Sequence, residues 1–208
     1  RHKSRRMLGA RKVLVVGGGI AGLALANGLE RVGIDYRVLE QAPSFSDVGF
    51  GITLGMNAMK TLELINPDLE RRVAAAGVPN TTYAMLDAHG HTLFTPPVSK
   101  DPERVKYGVG QFLPIKRTSL QQELLKDIPQ EKIVNSVVAK EVHQDGNGAT
   151  LVAQDGREFT GDLIVGADGI HSKVREQLHA KHADLLGPEP PLRYSGYSLW
   201  GAQVRAVD

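Results

Sequence analysis

Cysteine is absent from the 208 residues of this sequence. The absence excludes disulfide bonds, zinc sites built on cysteine and catalysis by a thiolate. Because disulfide bonds are typical of oxidising compartments, a chain without them is expected in the cytoplasm or an organelle matrix.

A long apolar run is also missing. Basic residues between Arg1 and Lys12 precede a stretch of apolar and small residues, an arrangement that secretory signals and membrane segments share. Asn27 interrupts this stretch, which is shorter than the roughly 18 to 20 apolar residues that a membrane-spanning helix needs. We therefore predict no membrane span.

Acidic residues are missing from the first twelve positions, which hold six of the 25 basic residues. That leaves 19 basic against 23 acidic residues, so the body of the chain carries a net charge of −4 although the whole chain carries +2. We interpret residues 1–10 as a basic tail and predict no nucleic-acid-binding surface.

The remaining composition is that of an ordinary folded protein. Hydrophobic residues make up 41% of the chain and charged residues 23%, as in soluble globular domains. A chain of 208 residues can form a substantial core in one domain or one and a half.

The most informative stretch, Val13 to Glu40, has the pattern of a βαβ nucleotide-binding unit. Val13 to Val16 is an aliphatic run typical of a buried parallel strand. Gly17, Gly19 and Gly22 follow at G-x-G-x-x-G spacing, which permits a tight turn, close approach of the backbone to a pyrophosphate and close packing of a helix on the strand.

The rest of this unit predicts where a dinucleotide would bind. A helix is expected from Ile20 to Val32 with Gly33 as its cap, and its N-terminus would face the phosphates. A second strand, Tyr36 to Leu39, leads to Glu40, whose carboxylate can accept hydrogen bonds from both hydroxyls of an adenosine ribose. A ribose 2′-phosphate would be repelled there.

The middle of the chain predicts a loop, a helix and a hairpin. Residues 41–59 form a glycine-rich loop that leads into a helix ending at Asn66-Pro67. Residues 81–95 alternate around the turn Ala88-His89-Gly90 as in a β-hairpin. Three histidines without neighbouring carboxylates or cysteines at metal-ligand spacing are interpreted as surface or turn residues, so no metal site is predicted: His89, His91 and His143.

Thr118 begins a capping-box pattern. It predicts a helix starting at Thr118 that buries Leu120, Leu124 and Leu125. Arg117 stands directly before this helix, where the helix dipole disfavours a cation, so a bound anion near Arg117 would explain its presence.

The last third of the chain predicts a meander followed by a strand, a turn and a helix. Three strands are expected at residues 137–142, 149–153 and 158–160, with Asp-Gly and Asn-Gly turns between them. A further strand, Leu163 to Val165, leads through small residues to the turn Asp168-Gly169. Ser172 is expected to cap the helix that carries Arg175 in its first turn.

Five motifs in this order resemble the FAD-dependent aromatic-ring hydroxylases, which are group A flavoprotein monooxygenases of the salicylate and para-hydroxybenzoate hydroxylase type. The motifs are GGGIAGLALANGL with VLEQAP, VGFGITLGMNA, LPIKRTSLQQELL, VGADGIHSKVR and YSGYSLWGA. Departures from the family pattern occur at Ser46, Met56 and Gly201.

The resemblance implies an α/β fold: a Rossmann-like FAD-binding domain with a parallel sheet and a β-meander, plus the start of a β-rich substrate domain. It implies an FAD-binding domain at residues 11–80 and 104–184, and incomplete substrate-domain strands at 81–103 and 185–208. It also implies that nine residues contact FAD: Gly17, Gly19, Gly22, Glu40, Gly51, Thr53, Arg117, Asp168 and Gly169.

The activity implied by the resemblance is oxygenation. NADH or NADPH would reduce FAD transiently, and a flavin C4a-hydroperoxide formed with O2 would hydroxylate or epoxidise an aromatic or other unsaturated small molecule. The residues themselves identify no catalytic acid or base. The family's Gly-Asp motif, which holds the flavin, is expected beyond Asp208 in a missing C-terminal half, so this chain alone is expected to be inactive.

Two other interpretations remain open. The chain could be a non-catalytic or truncated nucleotide-binding remnant, or part of an FAD- or NAD-dependent dehydrogenase or reductase. The absence of cysteine argues against the flavin disulfide reductases, which share the same opening motif but depend on a redox-active cysteine pair.

Overall fold

The computed structural model describes residues 12–45, 49–78, 84–95, 112–146 and 148–198. The chain divides into two compact units: unit 1 comprises Arg1–Phe45 and Leu124–Leu199, and unit 2 comprises Ser46–Glu123 and Trp200–Asp208. The basic tail assigned to residues 1–10 lies outside the described residues, as does the end of the predicted substrate-domain segment, residues 199–208.

The described residues form both strands and helices, with the last five strands in succession before the final two helices. The strands are β1 Lys12–Val16, β2 Asp35–Leu39, β3 Gly51–Gly55, β4 Met85–Leu86, β5 Thr92–Phe94, β6 Phe112–Lys116, β7 Ile133–Val134, β8 Ala139–Asp145, β9 Gly148–Ala153, β10 Glu158–Gly161 and β11 Leu163–Gly166. The helices are α1 Ile20–Val32, α2 Met56–Ile65, α3 Pro67–Ala76, α4 Arg117–Leu125, α5 Lys173–Lys181 and α6 Ala183–Leu186, and Gln130–Lys132 forms a 3-10 turn.

A four-stranded parallel sheet forms the centre of unit 1. Its strand order is β11-β1-β2-β7, so β1 lies between β2 and β11 in the interior of the sheet. The predicted strand from Val13 to Val16 is confirmed, and these four residues are buried. The sheet and the βαβ connection confirm the predicted α/β fold.

Helix α1 has the predicted bounds. Leu23 and Ala26 are fully buried, and the left-handed Gly33, at φ +70°, ends the helix. Asn27, which interrupts the apolar pattern of the sequence, is buried and donates hydrogen bonds of 2.8 Å to the carbonyl oxygens of Leu23 and Leu124. The side chain of Asn27 therefore joins α1 to the end of α4.

The predicted meander packs beside the parallel sheet. Strands β8, β9 and β10 form an antiparallel sheet in the order β10-β9-β8. The first strand begins at Ala139 instead of residue 137, because the Val137 N–H bonds to the Glu40 carbonyl at 2.9 Å. One buried cluster joins the two sheets and also contains Val137, which precedes β8: Leu14, Val16, Leu39, Val137, Leu151 and Ala153.

Unit 2 differs from the sequence prediction in three places. The segment expected to be a loop contains β3, which pairs antiparallel with β6, a strand more distant in sequence. Helix α2 ends before Asn66-Pro67 as predicted, but a second helix, α3, begins at once because Asn66 accepts a hydrogen bond from the Asp68 N–H at 2.9 Å. Helix α4 begins at Arg117, so Thr118 lies in its first turn and not at its cap.

The burial predicted for α4 holds at two of three positions. Leu120 and Leu124 are buried, whereas Leu125 is only partly buried.

The predicted hairpin is confirmed as β4 and β5, which are antiparallel. Within the described ranges, none of the helices combines the length and the apolar character that crossing a membrane requires.

An ion pair links α1 to the 3-10 turn of unit 1. Lys132 Nζ donates to Glu30 Oε2 at 2.8 Å and lies 4.5 Å from the centroid of the buried Tyr36 ring. The hydrogen bond from Lys132 lowers the pKa of Glu30 below its ordinary value of 4.5, while burial raises the pKa of Tyr36. The ion pair therefore stabilises the fold only while Glu30 is ionised.

We expect Lys132→Met to lower the free energy of unfolding by roughly 0.5 to 1 kcal/mol near neutral pH, since the pair is partly exposed. Because the pKa of Glu30 is lowered by folding, the stabilisation is present above pH 4.5 and is lost as the pH falls through the folded-state pKa. Urea unfolding of both proteins at neutral and acidic pH measures this. A difference that persists unchanged in acid would contradict the assignment, and Lys173→Met at the exposed Lys173–Glu176 pair is the control.

Candidate functional site

The glycine loop after β1 is held against the end of β11. The Gly17 N–H donates to the Leu39 carbonyl at 2.8 Å, and the Ala167 N–H donates to the Val16 carbonyl at 2.7 Å. Gly17 has φ +108°, and a Cβ there would stand 2.4 Å from the Ala167 carbonyl oxygen. Position 17 therefore requires glycine on grounds of both conformation and space.

Gly19 and Gly22 have opposite surroundings. A Cβ on Gly22 would stand 1.9 Å from the Gly17 carbonyl oxygen, so this glycine permits α1 to pack against the loop. Apart from Gly19 itself and its two chain neighbours, no described residue has a heavy atom within 4 Å of a Cβ placed on Gly19, which is the N-cap of α1. The open face of the loop is therefore at Gly19.

The N-terminus of α1 offers backbone donors next to this open face. Gly19 has no side chain to cap the helix, and the first turn contains no acidic residue. The first N–H groups of a helix lack partners within the helix, and the positive end of the helix dipole favours an anion. The arrangement suits a diphosphate.

Glu40 follows β2 at the same edge of the parallel sheet. Its Oε2 accepts a hydrogen bond from the Gly18 N–H at 2.6 Å, and its Oε1 accepts one from the Ala42 N–H at 2.8 Å. An ionised carboxylate has about four acceptor positions, so Glu40 can hold the loop and still accept hydrogen bonds from ribose hydroxyls. Its contact with a ribose remains a prediction.

Gly18 and Phe45 are part of this loop structure although the sequence pattern did not single them out. A Cβ on Gly18 would stand 2.8 Å from a ring carbon of Phe45 and 2.9 Å from Glu40 Oε2. Gly18 is the x of the G-x-G pattern, so the motif alone does not constrain it. The run of three glycines was the signal that could have identified it.

Asp168 caps α5. Its Oδ1 accepts a hydrogen bond from the Ser172 hydroxyl at 2.6 Å, and its Oδ2 accepts from the N–H groups of Lys173 at 2.7 Å and Val174 at 3.2 Å. Ser172 Oγ in turn accepts from the Arg175 N–H at 3.0 Å, as predicted for a helix cap. Asp168 therefore shapes the Asp168-Gly169 turn in addition to any contact it makes with a ligand.

Three predicted contact residues lie in unit 2. Gly51 and Thr53 are exposed positions of β3, opposite Lys116 and Pro114 of β6 respectively. The Arg117 N–H donates to the Phe50 carbonyl at 3.1 Å, which fixes the start of α4 beside β3. Because α4 begins at Arg117, the cation lies in the first turn of the helix, where a bound anion would offset the dipole.

The predicted residues thus form two groups, one in each unit. Unit 1 contains Gly17, Gly19, Gly22, Glu40, Asp168 and Gly169, and unit 2 contains Gly51, Thr53 and Arg117. The three histidines are exposed, and His91 Nδ1 lies 2.9 Å from Asp87 Oδ2 in the hairpin turn. The described part of the chain brings together no three His, Asp or Glu side chains that could hold a metal ion.

Comparison with known proteins identifies the class to which this geometry belongs. The family model described as "FAD binding domain" matches residues 10–185. The chain belongs to this FAD-binding family.

Relatives and solved structures agree with that assignment. The chain is 38% identical over 188 residues to the aurachin C monooxygenase/isomerase of Stigmatella aurantiaca, covering 90% of this chain and 46% of that protein. It is 34% identical over 201 residues to the 3-amino-4-hydroxybenzoate 2-monooxygenase PtmB3 of Streptomyces platensis, covering 94% and 46%. Klebsiella pneumoniae HpxO complexed with FAD and uric acid superposes with a TM-score of 0.72 at 25% identity, over 93% of this chain and 46% of HpxO. The chain therefore spans about half the length of the curated relatives it matches.

Proposed function

We propose that the loop from Gly17 to Gly22 binds the diphosphate of FAD and that Glu40 binds the adenosine ribose. The observation that carries the proposal is the open face at Gly19, which lies at the N-terminus of α1 in a loop otherwise filled by backbone and side-chain atoms. A diphosphate can use both the helix N-terminus and the free approach to the backbone.

The residues of unit 1 fit the ADP half of FAD. The first N–H groups of α1 would donate to the diphosphate, and the acceptor positions that Glu40 does not use for Gly18 and Ala42 would bind the ribose hydroxyls. The same negative charge repels a 2′-phosphate, which favours FAD over NADP at this site. Gly169, next to the Asp168 cap, would provide backbone close to the diphosphate.

We propose that Gly51, Thr53 and Arg117 also contact FAD. Arg117 would bind an anionic group of FAD, and the exposed backbone at Gly51 together with Thr53 would lie near the flavin. The support is the exposure of Gly51 and Thr53 on β3 and the position of Arg117 in the first turn of α4, where a bound anion would offset the helix dipole.

The reaction proposed for the whole protein is an oxygenation that uses NADH or NADPH and O2. FAD, when bound, supplies the redox chemistry, and the protein orients it and excludes water. Relatives include the monooxygenases named above, a 6-hydroxynicotinate 3-monooxygenase and zeaxanthin epoxidases. We propose by analogy an aromatic or other unsaturated small-molecule substrate, and a cytoplasmic or organelle-matrix protein.

The visible absorption spectrum of the purified chain tests the cofactor directly. We expect the absorption of bound FAD, or its appearance when FAD is added and the unbound excess is removed. Retention of NAD without FAD would instead identify a dehydrogenase or reductase, and retention of neither would identify a non-binding remnant.

Replacing Glu40 by alanine should weaken FAD binding by about 1.5 to 3 kcal/mol, the range for hydrogen bonds to a charged group. Glu40→Gln should weaken it less, because the amide keeps one acceptor oxygen but cannot accept at both ends. Isothermal titration with FAD and with ADP measures both variants. Glu158→Ala, at an exposed position of β10, is the control, and equal affinity of Glu40→Ala and the unaltered chain would exclude Glu40 from the site.

A further inference from the structure

The segment that follows β7 is unusual in its backbone conformation. Among the described residues, Ser136 is the one non-glycine residue with a positive φ, at +57°. A side chain with a Cβ is disfavoured in this left-handed region, so neighbouring contacts must hold Ser136 there.

Arg157 makes such a contact from the turn between β9 and β10. Its Nη2 donates to the Ser136 carbonyl oxygen, while its Nε donates to Asp155 Oδ2 at 2.7 Å. The Arg157 N–H also donates to Asp155 Oδ1 at 3.1 Å, so the guanidinium is oriented by its own turn. One planar group therefore bridges Asp155 and the backbone of Ser136, a geometry that the fork of arginine provides and a lysine does not.

The segment held by Arg157 borders the chain that carries Glu40. The Ser136 N–H donates to the Ala42 carbonyl at 3.1 Å. The Glu40 backbone is bonded on both sides, to the Val134 carbonyl at 2.9 Å and from the Val137 N–H at 2.9 Å. The position of Glu40 therefore depends on the conformation of residues 134–137.

The contacts form a continuous series that ends at the glycine loop. Arg157 bonds to Ser136, Ser136 bonds to Ala42, the Ala42 N–H bonds to Glu40 Oε1, and the Gly18 N–H bonds to Glu40 Oε2. All of these residues belong to unit 1. The series connects a turn of the meander to the loop proposed to bind the diphosphate.

We propose that Arg157 is a positioning residue for nucleotide binding: it holds Ser136 in its left-handed conformation and thereby fixes Glu40 and Gly18 in the arrangement that binds ADP. Arg157 acts through other residues and does not touch the ligand. The inference rests on the proposed function, because it assumes that the Glu40 side of unit 1 is the nucleotide site.

Arg157→Met, measured by titration with ADP, should weaken binding about tenfold, the effect of losing a hydrogen bond from a charged group. Arg157→Lys should weaken ADP binding less than Arg157→Met does, but it should still bind ADP more weakly than the unaltered chain. Ser136→Gly should change little by itself, because glycine adopts the left-handed conformation without steric cost. In the double variant, Ser136→Gly should recover most of the affinity lost by Arg157→Met, since the conformation would no longer need the guanidinium.

Recovery of ADP affinity by Ser136→Gly in the Arg157→Met background would distinguish a positioning role of Arg157 from a general contribution to stability. Arg37→Met, at an exposed position of β2, should bind ADP as the unaltered chain does. Equal ADP affinity of Arg157→Met and the unaltered chain would overturn this inference while leaving the nucleotide site in place. A double variant as weak as Arg157→Met would also overturn it, because Arg157 would then not act through the conformation of Ser136. Failure of the unaltered chain to bind ADP would overturn the proposed function together with the inference.

Discussion

Gly19→Val is expected to abolish measurable binding of FAD and ADP while leaving the fold intact. Gly19 has φ −72°, which valine tolerates, and apart from its chain neighbours no described residue has a heavy atom within 4 Å of a Cβ at this position. The added side chain would fill the open face of the loop, where the diphosphate must approach the helix N-terminus. The protein loses space for the ligand and loses no contact of its own.

Gly22→Ala is the contrasting variant. Its Cβ would stand 1.9 Å from the Gly17 carbonyl oxygen, so α1 could not pack against the loop without a shift of the backbone. We expect a loss of several kcal/mol of stability, in the range found for severe overpacking and backbone strain. Gly22→Ala should therefore destabilise the fold more than Gly19→Val does, although alanine is smaller than valine.

Circular dichroism, thermal unfolding and ADP titration on both variants test the pair of expectations. Gly19→Val should keep the spectrum and unfolding temperature of the unaltered chain. If Gly19→Val unfolded, the glycine would be structural, and if it bound ADP normally, the diphosphate would lie elsewhere.

A second prediction concerns the products that form when the chain is supplied with FAD and a reductant. When the 208-residue chain is supplied with FAD, NADH or NADPH and a panel of phenols, we expect hydrogen peroxide and no hydroxylated product. The monooxygenases that it resembles are about twice as long, with 46% of their length matched here, so roughly half of their residues have no counterpart in these 208.

The absence of counterparts for these residues should impair hydroxylation far more than it impairs nucleotide binding. The contacts proposed for ADP, the glycine loop and Glu40, all lie within unit 1, whereas oxygen transfer requires a substrate and a flavin fixed against each other and screened from water. A misplacement of about 1 Å can cost on the order of 100-fold in rate. Electrons taken from NAD(P)H then pass to O2 and, with two protons, give hydrogen peroxide.

The measurement is the ratio of hydroxylated product and of peroxide to NAD(P)H consumed. The control omits the protein, because free FAD is also reduced slowly. Product formed in proportion to NAD(P)H consumption would show that these 208 residues suffice for oxygenation, contrary to the expectation.

The local parts of the fold could be predicted from the sequence. Strand β1, helix α1 and the cap at Gly33 follow from residues that are neighbours in the chain, namely an aliphatic run, spaced glycines and a terminal glycine. The same is true of the Ser172 cap of α5. Each of these signals acts within a few residues.

The features that the sequence did not predict depend on distant partners or on conformations that no motif encodes. Strand β3 is a glycine-rich segment that becomes a strand because β6 pairs with it. Helix α3 had its signal, Asn66 before Pro67, but the same pair also indicates the end of a helix, and both meanings apply here. The left-handed Ser136 and its contact with Arg157 carry no sequence pattern, since the two residues lie 21 positions apart.

The candidate site likewise contains some residues that the sequence predicted and some contacts that it did not. The sequence predicted Gly17, Gly19, Gly22 and Glu40 as site residues because their spacing is typical of a loop that binds a diphosphate and an acidic residue that binds a ribose. The run of three glycines could have pointed to Gly18, but its contact with Phe45 could not be predicted, because no motif encodes the packing of a ring on a glycine. That Glu40 and Asp168 also bond to backbone N–H groups of the protein could be learned only from coordinates.

The contact between Gly17 and Ala167 has a consequence for the biosynthesis of the protein. Strand β1 leaves the ribosome before its partner β11, and the hydrogen bond from the Lys12 N–H to Asp162 spans 150 positions. A nascent chain can form α1 soon after it emerges, whereas the glycine loop is closed on its far side only after Ala167 has been added. Closing so long a segment is slow compared with forming a helix. Nucleotide capture should therefore begin only after Ala167 has been added, and during refolding it should follow the pairing of β1 with β11 instead of the formation of α1.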